Sequence, residues 1–300
     1  MATVDTSVQV LYESKFTTLF EALTQQMEAR IPQVCRQGDH RGSKGAQAIK
    51  QWGKTSPLVR TTRLAPITFT DVPLDARWVY PTAVDMAVAF DTWDELQTQA
   101  DPKSSFVTST LAAMARYKDL LMINSFFGVS STGQTGSDTT TFPAGNIIAS
   151  NYGASAATGL TKVKLEQAVR LLIANEVDLD MDKLYCVVSA AQWKNLMDET
   201  TFIDRDYYAN STALVSGKLQ PFLGVNFIHS EQLSLNGASE RQVPVFAGTG
   251  MHWGIWQDTE TRISIRNDLR GHPWQVYTDL YGGGTRLQEN KVMQIACAES

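Results

Sequence analysis

The strongest constraint on the fold lies in the last fifth of the chain. There Arg262-Ile-Ser-Ile-Arg266 leads through Trp274–Leu280 into Tyr281-Gly-Gly-Gly-Thr-Arg-Leu-Gln-Glu-Asn-Lys-Val-Met-Gln-Ile-Ala-Cys297. Strict alternation of polar and apolar residues suits strands with one buried face. Three successive glycines, Gly282, Gly283 and Gly284, allow backbone conformations that side chains forbid. The expectation is a strand, a glycine turn with at least one positive φ, and a second strand that closes the hairpin.

The 300 residues, 43% hydrophobic and 19% charged, can bury a sizeable core in one large or two medium domains. A net charge of −5 argues against a dedicated nucleic-acid binder. The charge is uneven: residues 1–63 hold nine Lys/Arg against five Asp/Glu, and the remainder 17 against 26. Cys35, Cys186 and Cys297 are too scattered for a disulfide framework, so a reduced, cytosolic folding site is expected. The N-terminus shows no signal-peptide pattern, and no apolar run approaches the ~20 residues that span a bilayer.

Val8, Tyr12, Phe16, Leu19, Leu23 and Met27 recur at helical spacing, predicting an amphipathic helix that ends where Ile31 meets Pro32. Cys35 to Lys54, rich in Gly, Gln and charge, reads as extended or mobile. Lys54 to Tyr80 holds many β-formers without a helical period, and Pro57, Pro66 and Pro73 exclude a central strand. A long, open, two-stranded excursion remains, which cannot be stable alone in water and needs a larger partner.

Asp101 as N-cap and Pro102 at the first turn open a helix of about 25 residues, roughly 38 Å long, stopped by Gly128. Ser130–Gly159 reads as an irregular surface segment. Thr161 caps a second helix with the face Leu165, Ala168, Val169, Leu172 and Ile173. Leu184–Val188 reads as a buried strand and Ala190–Met197 as a short helix, so this part is a layered α/β unit. Gly224–Ser230 and Val243–Ala247 add strand candidates.

The sequence carries little catalytic chemistry. His40, His229, His252 and His272 are isolated in sequence, with no two at the i, i+4 spacing of a helical metal site, and each reads as a satisfied or surface histidine. The Asp178/Asp180/Asp182 run is a solvated acidic turn: a calcium loop would need glycine where Lys183 stands and glutamate where Ser189 stands. There is no phosphate loop, nucleophile elbow or dinucleotide fingerprint, and Cys186 lies within an apolar strand. Trp253 and Trp256 suit core or interface packing better than ligand stacking. Neither enzyme activity, cofactor nor metal is expected.

The closing segment "YGGGTRLQENKVMQIAC" resembles the C-terminal signature of tailed-phage major capsid proteins of the Hong Kong 97 type. Three further stretches resemble the same family in the same order: Leu74–Asp91 running into Asp101–Asp119, Thr161–Leu196, and Gly217–Leu233. The resemblance covers most of residues 74–297. It implies an α+β chain of the Hong Kong 97-type capsid fold: an N-terminal arm over 1–43, an extended E-loop over 44–85, and a peripheral domain over 86–159 with a spine helix over 102–128. An axial α/β domain over 160–250 and strands returning to the peripheral domain over 251–300 complete it.

The implied role is a structural one, a subunit that self-assembles into an icosahedral head around double-stranded DNA, as hexamers and pentamers in a closed shell. The E-loop would find its packing partner on a neighbouring subunit. Arg60, Arg63, Asp71, Asp75 and Arg77 are its expected inter-subunit charge partners, with Trp52 and Phe69 as apolar anchors. Arg30, Arg36, Arg41 and Lys44 would form a DNA-facing arm making weak, non-specific contacts. A portal is an expected partner; the segment before the E-loop is too short for a scaffolding domain, which implies either a separate scaffold protein or a processed form of the chain, and the initiating Met1 favours the separate scaffold. The resemblance leaves room for a decoration protein and gives no role to a membrane. Assembly is expected in the cytoplasm of a host bacterium, and the virion capsid is the final location. A cellular nanocompartment shell of the same fold is the alternative reading, and a soluble enzyme or ligand-binding protein a more distant one.

Overall fold

Where the sequence alternates or runs apolar, the computed structural model builds three sheets; it describes residues 23–43, 46–64, 66–90, 103–199 and 221–299. The first part contains α1 (Ile31–Val34), β1 (Arg36–Asp39), β2 (Ala46–Trp52), β3 (Leu74–Val79) and β4 (Thr82–Phe90). Next come α2 (Lys103–Phe127) and three short strands, β5 (Ser130–Thr132), β6 (Asp138–Thr140) and β7 (Ile147–Ile148). The third part has α3 (Lys162–Ala174), β8 (Leu184–Val188), α4 (Ala190–Asp198), β9 (Val225–His229) and β10 (Glu240–Ala247). The long strands β11 (Met251–Ile265) and β12 (Trp274–Arg286) precede β13 (Val292–Ala298).

The main core surrounds the sheet β7-β13-β10-β8-β9. β8 and β13 are almost continuously apolar because both of their faces are covered. Leu165, Ala168, Val169 and Leu172 put one face of α3 into that core, and Leu196 does the same for α4, whose first turn carries a Ser189/Gln192 capping box. Met122, Ile123 and Phe126 bring the end of α2 to the same place, with Phe126 and Phe246 rings 4.6 Å apart. Each large side chain so buried contributes about 1.5–3 kcal/mol. Trp253 joins this core, and Trp256 packs with Val79 and Tyr281 in a smaller one.

α2 lies across the second sheet, β1-β11-β12-β4, where Thr278 of β12 donates a 3.1 Å hydrogen bond to Thr110 of the helix. The third sheet, β2-β3-β5-β6, forms the base of a long excursion whose residues 53–64 and 66–73 carry no regular structure. No described helix is long and apolar enough to cross a membrane.

The structure corrects four expectations. Gly282, Gly283 and Gly284 are not a turn: they lie inside β12, paired with β11, and none has a positive φ. Close packing is the reason for them, since a Cβ on Gly283 would sit 2.2 Å from the Tyr80 carbonyl oxygen. On Gly284 it would meet Met122 Sδ at 2.7 Å, and on Gly282 the Trp253 ring at 2.9 Å. The chain reverses earlier, between Ile265 and Trp274, where Gly271 has φ +80°. Secondly, residues 23–30 are not helical, and the Ile31–Pro32 step begins a helix, because proline is accepted in a first turn. The rest of that expected helix, like Asp101 and Pro102, lies outside the described residues.

Thirdly, Ser130–Gly159 is not wholly irregular: β5 and β6 extend the third sheet, and β7 pairs in parallel with β13. Finally, the acidic turn is not simply solvated. Asp182 accepts hydrogen bonds from Thr249 and Lys291 at 2.8 and 2.6 Å, tying the turn to the body.

Candidate assembly surface and its anchors

A projecting loop can act on a neighbour only if its base is held, and β3 is held by charge. Arg77 is 6% exposed and donates from Nη2 to Glu289 Oε2 at 2.7 Å. Glu289 also faces Arg286, whose Nε lies 3.5 Å from Oε1. The Arg286 side chain is fully buried; its Nη1 donates to the Phe126 and Gly128 carbonyl oxygens at 2.7 and 2.9 Å, and its guanidinium lies 5.2 Å from the Phe142 ring centroid. It therefore satisfies carbonyls left open at the end of α2. Burial pulls its pKa down, and the nearby Glu289 carboxylate opposes that pull.

Neutral contacts complete the base. Trp78 Nε1 donates to the Gly133 carbonyl oxygen at 2.7 Å, Gln51 Nε2 to the Leu287 carbonyl oxygen at 3.0 Å, and Tyr80 OH to the Gly136 carbonyl oxygen at 3.3 Å. The loop above is bare. Trp52 is 79% exposed and Phe69 90%, and Leu58, Val59, Leu64, Ile67 and Leu74 are exposed with them. This is an apolar surface without cover in one subunit. An ion pair to the body, Lys54 Nζ to Glu176 Oε1 at 2.6 Å, is solvent-exposed on both sides and worth little.

The expected E-loop residues therefore divide. Trp52, Arg60, Arg63, Phe69 and Asp71 are exposed, as a contact surface requires. Asp75 is half-exposed, and its Oδ1 accepts from the Ala76 and Gly133 amides at 2.7 and 3.3 Å. Arg77 is set apart from these: it is buried against Glu289 of its own chain and, within the subunit, anchors the base of the loop.

The arm has its own anchor. Asp119, buried on α2, accepts from the Arg30 and Ile31 amides, each at 3.0 Å, and from Gln26 Nε2 at 2.5 Å. Burial raises its pKa, and the same hydrogen bonds work against the rise. Arg116 Nη1 donates to Gln25 Oε1 at 2.8 Å. Of the expected DNA-facing residues, Arg30 Nη1 donates to the His229 carbonyl oxygen at 2.9 Å, Arg36 is exposed, Arg41 lies 3.8 Å from Asp39, and Lys44 is outside the described residues.

Sequence reasoning gave no role to Glu289, Arg286 and Asp119, each of which holds at least one partner more than 80 positions away. Histidines that are isolated in sequence are brought together by the fold, with His40 and His252 Nε2 atoms 2.9 Å apart. Charged residues inside apolar stretches, such as Asp119 amid Leu120, Leu121 and Met122, were the available signal. Among the described residues no group of three or more His, Cys, Asp or Glu could hold a metal ion, and the three thiols are free and buried.

A family model described as phage capsid protein matches residues 8–299. Among solved structures, the cyanophage Pam1 capsid superposes with a TM-score of 0.75 at 12% identity, covering 99% of this chain and 98% of that one. The head structure of Helicobacter pylori bacteriophage KHP40 gives 0.72 at 11% identity with all of both chains covered. The capsid of cyanophage P-SCSP1u gives 0.71 at 15% identity over 98% and 95%. No curated protein sequence matches.

Proposed function

The chain belongs to the phage capsid protein family, and from that premise we propose that it is the major capsid protein of a tailed phage, a structural subunit that tiles an icosahedral head. The observation that carries this reading is the loop over 53–73, apolar and bare at its tip, yet fixed to its own body by Arg77, Trp78 and Gln51 at the base. Burying that tip on a neighbour removes apolar area from water at about 25 cal/mol per Å². In a closed shell the same contact repeats around every ring, so individually modest interfaces add.

Trp52 and Phe69 are the apolar anchors of the contact, with Arg60, Arg63 and Asp71 setting its register through rim charges. The basic arm faces packaged double-stranded DNA, and Arg36 and Arg41 make weak, salt-sensitive contacts with phosphates. A portal and a separate scaffold protein complete assembly in the host cytoplasm, and a decoration protein can sit on the outer face. The role is structural and not catalytic. No observation separately favours a nanocompartment shell or a soluble enzyme.

The test is expression of the chain with electron microscopy of the product. Closed shells or shell-like capsomers support the reading. A monodisperse monomer or small dimer at high concentration, with and without scaffold, contradicts it.

A further inference from the structure

Strand β1 joins the arm to the hairpin sheet in parallel register, with Arg36 to Asp39 set against His252 to Ile255. At the end of that pairing His40 and His252 turn their Nε2 atoms toward each other at 2.9 Å, with the rings 62° from parallel. His252 is 2% exposed, and His40 is half-buried with its ring 5.2 Å from that of Trp256. Two glycines make the room. A Cβ on Gly38 would lie 2.7 Å from His252 Cε1, and one on Gly254 would lie 2.8 Å from His40 Cδ2.

A contact between two Nε2 atoms is a hydrogen bond only when one carries a proton and the other offers its lone pair. With both rings cationic, two N–H groups and two like charges face each other, one of them on the buried His252 ring. The charged groups acting on the pair sit on β1: Arg36 disfavours charging His252, and Asp39, itself near Arg41, favours charging His40. From β12 the residue opposite His252 is Thr285, and from β3 Val79 packs toward Gly254; neither titrates.

We propose that the His40–His252 pair is a proton-operated latch that holds the arm strand on the hairpin sheet at neutral pH and releases it in acid. Burial first, then His40 and Arg36, depress the His252 pKa to about 4, and burial lowers that of His40 as well. For a histidine whose folded pKa is depressed, the stabilising contribution is present above the unfolded value near 6.5 and is lost as pH falls toward 4. Asp119, whose pKa is raised, changes in the opposite sense, so the anchor before α1 does not contribute to the acid step.

Hydrogen exchange of the intact chain, read by mass spectrometry over residues 36–43 and corrected for intrinsic rates, tests the latch. Between pH 7.5 and pH 4.5 protection should fall by ~tenfold or more, because each pKa unit of linkage is a tenfold change in the docking equilibrium. His252→Gln, neutral throughout, should remove the step, and His40→Gln should do the same at a half-buried site that tolerates replacement. Quenching of Trp256 by cationic His40 gives a second reading of the same step. Unchanged wild-type protection, or an equal fall in the His40→Gln chain, overturns the proposal.

Discussion

Arg77 and Glu289 meet at 2.7 Å across 212 positions of sequence, fastening the base of the projecting loop to the segment that enters β13. Both side chains are largely buried, at 8% and 15% exposure. Removing one partner of such a pair leaves an uncompensated charge, which costs about 3–5 kcal/mol. Glu289→Ala should therefore lower the thermal midpoint markedly. Double substitution with Arg77→Met should restore only part of the loss, because Arg77 is then no longer a buried charge without its carboxylate whereas Arg286 still is; equal losses in single and double variants would show that Arg77 and Glu289 are not coupled.

Gly283 is fixed by proximity and not by dihedral angle. Its missing Cβ would stand 2.2 Å from the Tyr80 backbone oxygen, which cannot swing aside as a side chain can. Gly283→Ala should destabilise the subunit by about 1–3 kcal/mol, on the scale of overpacking. Gly237, with open space around its Cβ, serves as the control, and Gly237→Ala should leave the denaturation midpoint within about 0.5 kcal/mol. A Gly283→Ala chain as stable as the parent would show that the strand shifts freely.

Asp119 is the arm's anchor on α2, so Asp119→Ala leaves the Arg30 and Ile31 amides without their acceptor. Brief trypsin treatment should then cut after Arg30 at least several times faster, while the core fragment survives. Because burial raises the Asp119 pKa, its contribution to stability is greatest at and below the ordinary carboxylate range and declines as pH rises through the raised value. An Asp119→Asn chain should lose that slope, measured as the pH dependence of the urea midpoint.

Neutralising Arg30, Arg36, Arg41 and Lys44 together should weaken DNA retention in filled heads as salt is raised, while empty shells still form. Arg36 and Arg41 are expected to dominate, since Arg30 is already engaged with the His229 carbonyl oxygen. Identical retention at every salt concentration would remove the arm from the DNA contact.

Elements with strong local patterns were legible in the sequence. The 25-residue α2, bounded by Pro102 and Gly128, the α3 face at Leu165, Ala168, Val169 and Leu172, and the continuously apolar β8 stand where local signals placed them, whereas Ile173, expected on the same α3 face, is exposed. The three glycines were misread since a close backbone approach and a tight turn leave the same trace, and only the register with Gly254 and Tyr80 separates them. The burial of Arg77 was hidden for a related reason: a charged residue in a β excursion looks solvated until Glu289 arrives from the far end of the chain. On the exposed loop Trp52 and Phe69 were singled out from the sequence but Leu58, Val59, Leu64, Ile67 and Leu74 were not, and the ion pair holding its base depends wholly on tertiary structure.

The central claim is that the loop over 53–73 serves a neighbour and not its own core. Its most direct test is sedimentation of a chain in which residues 55–72 are replaced by a short Gly/Ser linker, leaving β2, β3 and Arg77 in place. The account predicts a thermal midpoint near that of the parent, since the removed Leu58, Val59, Ile67 and Phe69 are all exposed, together with small species and no closed shells. Shells of normal size from the shortened chain would contradict it.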